Sequence, residues 1–332
     1  VRRAARVAVV AALALGACGS DAALPAEVTG SVPVAAVTDP PPVPTCTDEQ
    51  RAEDPTRSYA PEGPPPAPGA MPAGSTMREI QDRGRLVVGV SADTLLFGAR
   101  NPLTGAIEGF DIDVLRELAS AIFGPDGGSR IEYRVITYAQ RLPALEAGEV
   151  DVVAHTMTIN CDRWLRIAFS TVYYDAGQVV LVRSGSGAED VEDLVAQGAR
   201  VCAPLGSTNI EEIERPRYAG IEVVGVPDIS DCLVAIQQGR VDAVTGDDTV
   251  LAGFAAQDPN LEVVGEPFTE EPYGLGFARG DVDLVRFANA VLEDLRADGR
   301  WAAIYRRWLI DSGALPGAEV PPPPPATYGR QP

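Results

Sequence analysis

The chain has 332 residues, 45% of them hydrophobic, enough for one large or two medium globular domains. Its formal charge is −20, from 47 acids against 27 bases, which argues against a nucleic-acid partner because phosphate binding needs a positive surface. Every base is arginine and the only histidine is His155. That removes a P-loop lysine, a Schiff-base lysine and a zinc site of several imidazoles, and leaves a Ser-His-Asp triad only His155 to draw on.

The first element is "VRRAARVAVVAALALGACGS". A basic start followed by an apolar run of about ten residues is the plan of an export signal, too short to span a bilayer. The run ends in Leu15-Gly16-Ala17-Cys18 and resembles a bacterial lipobox. Residues 1–18 are therefore expected to be a lipoprotein signal, with Cys18 lipidated and the chain tethered outside the cytoplasmic membrane. In that oxidising compartment Cys46, Cys161, Cys202 and Cys232 suggest two disulfides, with three pairings open. None has C-x-x-C spacing, so no metal site is expected.

Residues 19–77 are rich in Pro and Ala without an apolar period and are expected to be an extended tether. From residue 78 the pattern turns globular. "RLVVGVS" reads as a short buried strand, and "RIEYRVIT" alternates as another. Between them "GFDIDVLRELASAIFG" reads as a helix, with Asp111 its expected cap and Ile112, Leu115, Leu118, Ala119 and Ile122 on the 3.6 period. Strands separated by helices indicate a parallel α/β sheet.

A weak internal repeat then appears. "PALEAGEVDVVAHTMT", residues 143–158, matches "VAIQQGRVDAVTGDDT", residues 234–249, 91 positions later. Each reads as a helix end, a glycine in the left-handed position (Gly148, Gly239), then a buried strand that runs into polar residues. Ligands of open parallel sheets sit beyond such strand ends. Two similar units predict two lobes facing one cleft. The Pro-rich end, residues 313–332, is expected to be a disordered tail.

The order and spacing of "GRLVVGVS", "GFDIDVLRELA", "GEVDVVAHTMTINCDRWLRIAFSTVYY", "GARVCAPLGSTNIEEI", "GRVDAVTGDDTVLAG", "EEPYGLGFARG" and "DGRWAAIYRRWL" resemble the family 3 solute-binding proteins, polar amino-acid receptors of ABC importers. Within that family the chain resembles the glutamate- and glutamine-binding lipoproteins of actinobacteria, through "DCLVA" and the "NC" before the acid-arginine pair. The resemblance implies an α/β, two-lobed periplasmic-binding-protein-like (type II) fold with two crossover hinge strands. Lobe 1 would be 78–182 plus 272–312 and lobe 2 would be 183–271, closing about a hinge. It also implies no cofactor, no catalytic residue, a monomer, and permease subunits as partners.

A free amino acid brings a carboxylate and an ammonium, and desolvating either costs several kcal/mol unless it is paired. A planar guanidinium suits the first and an acid the second. By resemblance Arg163, with the hydroxyl of Thr158, takes the carboxylate. Asp247 takes the ammonium, with Asp248 the competing choice. Ser207 and Thr208, where a loop opens a helix, match a second carboxylate contact. Phe97 and Tyr138 match aromatic walls for the ligand's stem. Thr156 and His155, on the same strand end, are also expected at the ligand; His155 either reaches a distal carboxylate or is a hydrogen-bonded strand-end residue. Ser91 stands where relatives often carry an acid. The lobe assignment implies Cys202–Cys232 pairing and, with it, Cys46–Cys161. Two other readings use the same fold: an amino-acid sensor or adaptor signalling to a membrane partner, and a dehydratase-like enzyme, which would need a positioned general acid.

Overall fold

The computed structural model describes residues 44–315 and 317–332; the expected export signal, Cys18 and the first part of the expected tether lie outside the described residues. Two five-stranded sheets organise the molecule. The first runs Ile131–Val135, Leu86–Val90, Val152–Ala154, Gly276–Ala278, Ile167–Phe169, and the second Glu222–Val226, Arg200–Pro204, Ala243–Asp247, Tyr174–Arg183, Leu261–Tyr273. In each, the first three strands are parallel, and the fourth runs antiparallel to both its neighbours, so the fifth points the same way as the first three. The two members of the internal repeat, Val152–Ala154 and Ala243–Asp247, occupy the third place in their sheets, and Gly148 (φ 64°) and Gly239 (φ 72°) are left-handed as their helix-stop role requires.

Apolar runs explain the strands. Leu86–Val90 is buried at every position, as a strand between two parallel neighbours covered on both faces must be. The helix Phe110–Phe123 buries Ile112, Leu115, Leu118, Ala119 and Ile122. Its cap differs from expectation. Gly109 is the N-cap residue and Asp111 lies inside the first turn, only 1% exposed. The Asp111 carboxylate accepts from Thr156 N (2.9 Å) and Tyr173 Oη (2.6 Å), so long-range polar partners outcompete the local cap.

The chain crosses between sheets twice, where Tyr173 N donates to Tyr273 O (2.9 Å) and Tyr174 pairs with Tyr273. The strand Tyr174–Arg183 pairs along its length with strands of the second sheet, Ala243 opposite Val182 and Asp247 opposite Gln178. The lobe boundary expected at 182/183 therefore moves back to about Tyr173, because these hydrogen bonds, not the apolar run, set the lobe.

Both proline-rich segments depart further from expectation. Residues 44–77 and the tail from residue 317 lie folded on lobe 1 instead of extended in solvent. Ser58, Tyr59 and Met71 are buried. Ser58 N donates to Thr327 O (2.9 Å) and Ser58 Oγ to Phe169 O (2.7 Å). Arg296 donates to Pro324 O (2.9 Å), and Tyr328 Oη to Glu293 (2.6 Å). A few side chains that reach real partners order a segment whose composition has no apolar period.

Two disulfides are present, Cys46–Cys161 and Cys202–Cys232. Among the described residues no helix is long and apolar enough to cross a membrane.

Candidate functional site

The polar ends of the two repeat strands face each other. On lobe 1 the chain leaves Ala154 and bends at Thr156, whose φ of 41° is rare outside glycine. Asp111 fixes this bend through Thr156 N. A further turn brings Asn160, whose side chain caps the one-turn helix Cys161–Trp164 by accepting from Arg163 N (2.9 Å). The cap sets the direction of Arg163, whose side chain is 5% exposed. Its guanidinium donates to Thr158 O (2.7 Å) in its own lobe and to Gly206 O (3.4 Å) in the other. Burial lowers its pKa, and the carboxylates of Glu211, Glu271 and Asp247 work against that.

On lobe 2 Asp247 ends the strand Ala243–Asp247, buried to 6% exposure. Asn209 Nδ2 donates to one oxygen (2.8 Å) and Tyr273 Oη to the other. Burial, with the charge of Glu271 adding, pushes its pKa up to about 7. Asp248 starts the next helix, half-buried, and its carboxylate accepts from Thr249 N (2.7 Å). Of the two acids, Asp247 is the more deeply buried.

The hydroxyls are arranged differently from expectation. Thr158 Oγ1 (2.5 Å) and Thr208 Oγ1 (2.7 Å) both donate to Glu271 Oε2, and Thr269 Oγ1 to Glu271 Oε1 (2.7 Å). A hydroxyl has one proton to give, so neither threonine donates elsewhere while Glu271 holds it. This trio lines a cavity of about 450 Å³ that also meets Asp162, Arg51 and Arg217. Ser207 is the N-cap of Thr208–Ile213: its Oγ accepts from Ile210 N (3.2 Å) and donates to Pro204 O (2.7 Å).

The aromatic residues are enclosed. Phe97 has no exposed surface and packs edge-on against Tyr174 (5.0 Å) and Tyr273 (5.7 Å), the rings of the crossover. Tyr138 stacks under the guanidinium of Arg141 (4.7 Å) and edge-on to His155 (4.6 Å). His155 Nε2 donates to the carbonyl of Ile136 (3.2 Å), and burial followed by the charge of Arg141 lowers its pKa to about 3. This is the geometry of the hydrogen-bonded strand-end alternative.

Sequence reasoning missed two charged residues. Arg141 is 1% exposed and donates to four carbonyls, those of Tyr138 (3.1 Å), His155 (3.0 Å), Thr156 (3.2 Å) and, across the cleft, Gly206 (3.0 Å). Burial, then the neighbouring Arg163, lowers its pKa to about 9. No local signal marked it: Arg141 stands just outside the repeat, and only its carbonyl partners distant in sequence reveal it as a buried residue. Glu271 was the second. It alternates with the exposed Glu270 on a strand, so a period of two marks it as inward. At Gly206 the lobes nearly touch, since an added Cβ would stand 2.7 Å from Ala139 Cα.

Two lobes of equal strand pattern, a double crossover and opposed buried charges at the strand ends define a two-lobed solute-binding protein. Residues 86–311 match the family model for bacterial extracellular solute-binding proteins, family 3, and the chain belongs to that family. It is 37% identical over 239 residues to the glutamine-binding protein GlnH of an ABC transporter of Bacillus subtilis, covering 72% of this chain and 86% of that protein. It is 34% identical over 243 residues to the glutamate-binding protein GluB of Corynebacterium glutamicum, covering 70% and 81%. Among solved structures, holo ArgBP from T. maritima superposes with a TM-score of 0.61 at 33% identity, covering 70% of this chain and 99% of that one.

Proposed function

We propose that this chain is an extracytoplasmic receptor, lipid-anchored through Cys18, that encloses a polar amino acid between its lobes and delivers it to an ABC permease. The ligand class is glutamate, glutamine, aspartate or asparagine, the first two being the ligands for which GluB and GlnH are named. The role is binding, without chemical conversion of the ligand.

One observation carries the reading: Arg163 and Asp247, contributed by opposite lobes, are both buried and close enough for the carboxylate to support the guanidinium's charge. An α-amino acid carries the complementary pair. Its carboxylate meets the fork of Arg163 and its ammonium meets Asp247, so each pole loses water to a formal countercharge. Asp247 must be ionised to do this, and the arriving ammonium draws its proton off. The Arg141 guanidinium adds positive potential beside Tyr138. The hydroxyls of Thr158 and Thr208 join the ligand carboxylate only by turning from Glu271.

The test is a thermal-shift and calorimetric titration of the protein with the twenty amino acids. Stabilisation by the four named ligands and loss of it in Arg163→Ala, at least about 30-fold in affinity, is the expected outcome. Retained affinity in that variant would remove Arg163 from the site.

A further inference from the structure

The helix Ile229–Gln237 of lobe 2 begins without a cap of its own. Its N-cap residue, Asp228, makes no side-chain hydrogen bond to the first turn. The acceptor comes from the other lobe. Asp93 Oδ2 accepts from Ser230 Oγ (2.6 Å) and from Ser230 N (3.2 Å), an amide of that first turn.

Asp93 is held for this task. Ser91 Oγ donates to its other oxygen (2.7 Å) and accepts from the amides of Asp93 (3.2 Å) and Thr94 (3.1 Å). The residues after it lean the same way: an added Cβ at Gly253, in the lobe 2 helix Asp248–Gln257, would lie 3.5 Å from Leu95 Cβ. At the receiving end Cys232 ties the capped helix to Cys202 on the lobe 2 sheet. A pull on the helix end is thus passed to the sheet that bears Asp247.

We infer that Asp93 is a closure latch, a lobe 1 carboxylate that caps a lobe 2 helix when the lobes meet and so slows ligand release without touching the ligand. Helix amides left uncapped on opening return to water, and their recapture stabilises the shut form. Asp228 and Asp231 share that helix end and oppose the charge of Asp93, which keeps the latch weak enough to release. Asp93 is accordingly a positioning residue.

This inference rests on the proposed binding role, and two measurements on the full chain separate the two. The first is stopped-flow binding of glutamine and glutamate. Asp93→Ala should raise the dissociation rate about 3- to 30-fold and leave the association rate within twofold, the range a lost helix cap implies. Asp93→Asn, which keeps an acceptor, should recover most of the loss. An unchanged dissociation rate, or an effect carried by association, overturns the latch. The second needs no ligand: hydrogen exchange at the Ser230 amide should be faster in Asp93→Ala than in the parent, and equal rates overturn the latch. Should no amino acid bind the parent protein, the receptor reading fails and the exchange rates alone decide the latch.

Discussion

The two lobes share a strand pattern but hold their charges by opposite means. Lobe 1 is braced from outside. The turn that aims Arg163 is tied to the N-terminal segment by Cys46–Cys161, by Cys46 N on Asp162 (2.6 Å) and by Trp164 Nε1 on Pro55 O (2.8 Å). Arg330 of the tail lies 3.8 Å over the Trp164 ring. Lobe 2 is braced from inside. Asp247 is held by Asn209 and by Tyr273 at the crossover, and its disulfide closes a short loop. An arginine keeps its charge almost regardless of setting, so lobe 1 needs only to aim it. An aspartate can lose its charge, so lobe 2 also tunes it.

Removing the outer brace should have the largest effect. Loss of Cys46–Cys161, which spans 115 residues, should cost about 4–5 kcal/mol on the chain-entropy model, against about 3–4 for Cys202–Cys232. Denaturant unfolding of the two Cys→Ser pairs checks the order, and equal losses would blur the contrast between lobes.

The inner tuning should appear in pH dependence. In the ligand-free protein the Asp247 pKa is raised, so its contribution to stability is fully present when it is protonated and is lost as pH rises from about 4 through about 7. On the proposed binding mode ligand affinity should run the other way, because the ligand's ammonium needs the carboxylate. Affinity should fall up to tenfold per unit as pH drops below about 7, and Asp247→Asn should bind more weakly with a flatter profile by calorimetry. His155, buried with its pKa lowered to about 3, should add nothing between pH 5 and 8.

The smallest effect belongs to the exposed part of the outer brace. Arg51 and Asp162 pair at 3.0 Å with 48% and 36% of their side chains exposed. Arg51→Ala should cost less than about 1 kcal/mol and fade with salt, whereas the neighbouring disulfide should not respond to salt.

Much of this was legible in the sequence because periods and glycine stops are local. The helix over Ile112–Ile122 and the paired repeat strands needed only spacing. Arg163 and Asp247 stood out through resemblance alone, and in the structure both are buried. Partners distant in sequence were the ones hidden. Asp111 looked like a cap until Thr156 and Tyr173 claimed it. Thr158 and Thr208 looked free until Glu271 did the same. The proline-rich ends looked solvated since composition cannot show Ser58 meeting Thr327.

The place of Gly276–Ala278 bears on assembly. It lies between Val152–Ala154 and Ile167–Phe169, so the first sheet has a vacant slot until the chain reaches residue 278. The second sheet uses only residues 174–273 and is already whole by then. A polypeptide emerging from its N-terminus therefore finishes the later lobe first, and the earlier one waits, half-built, for a single short strand to be slid into its middle.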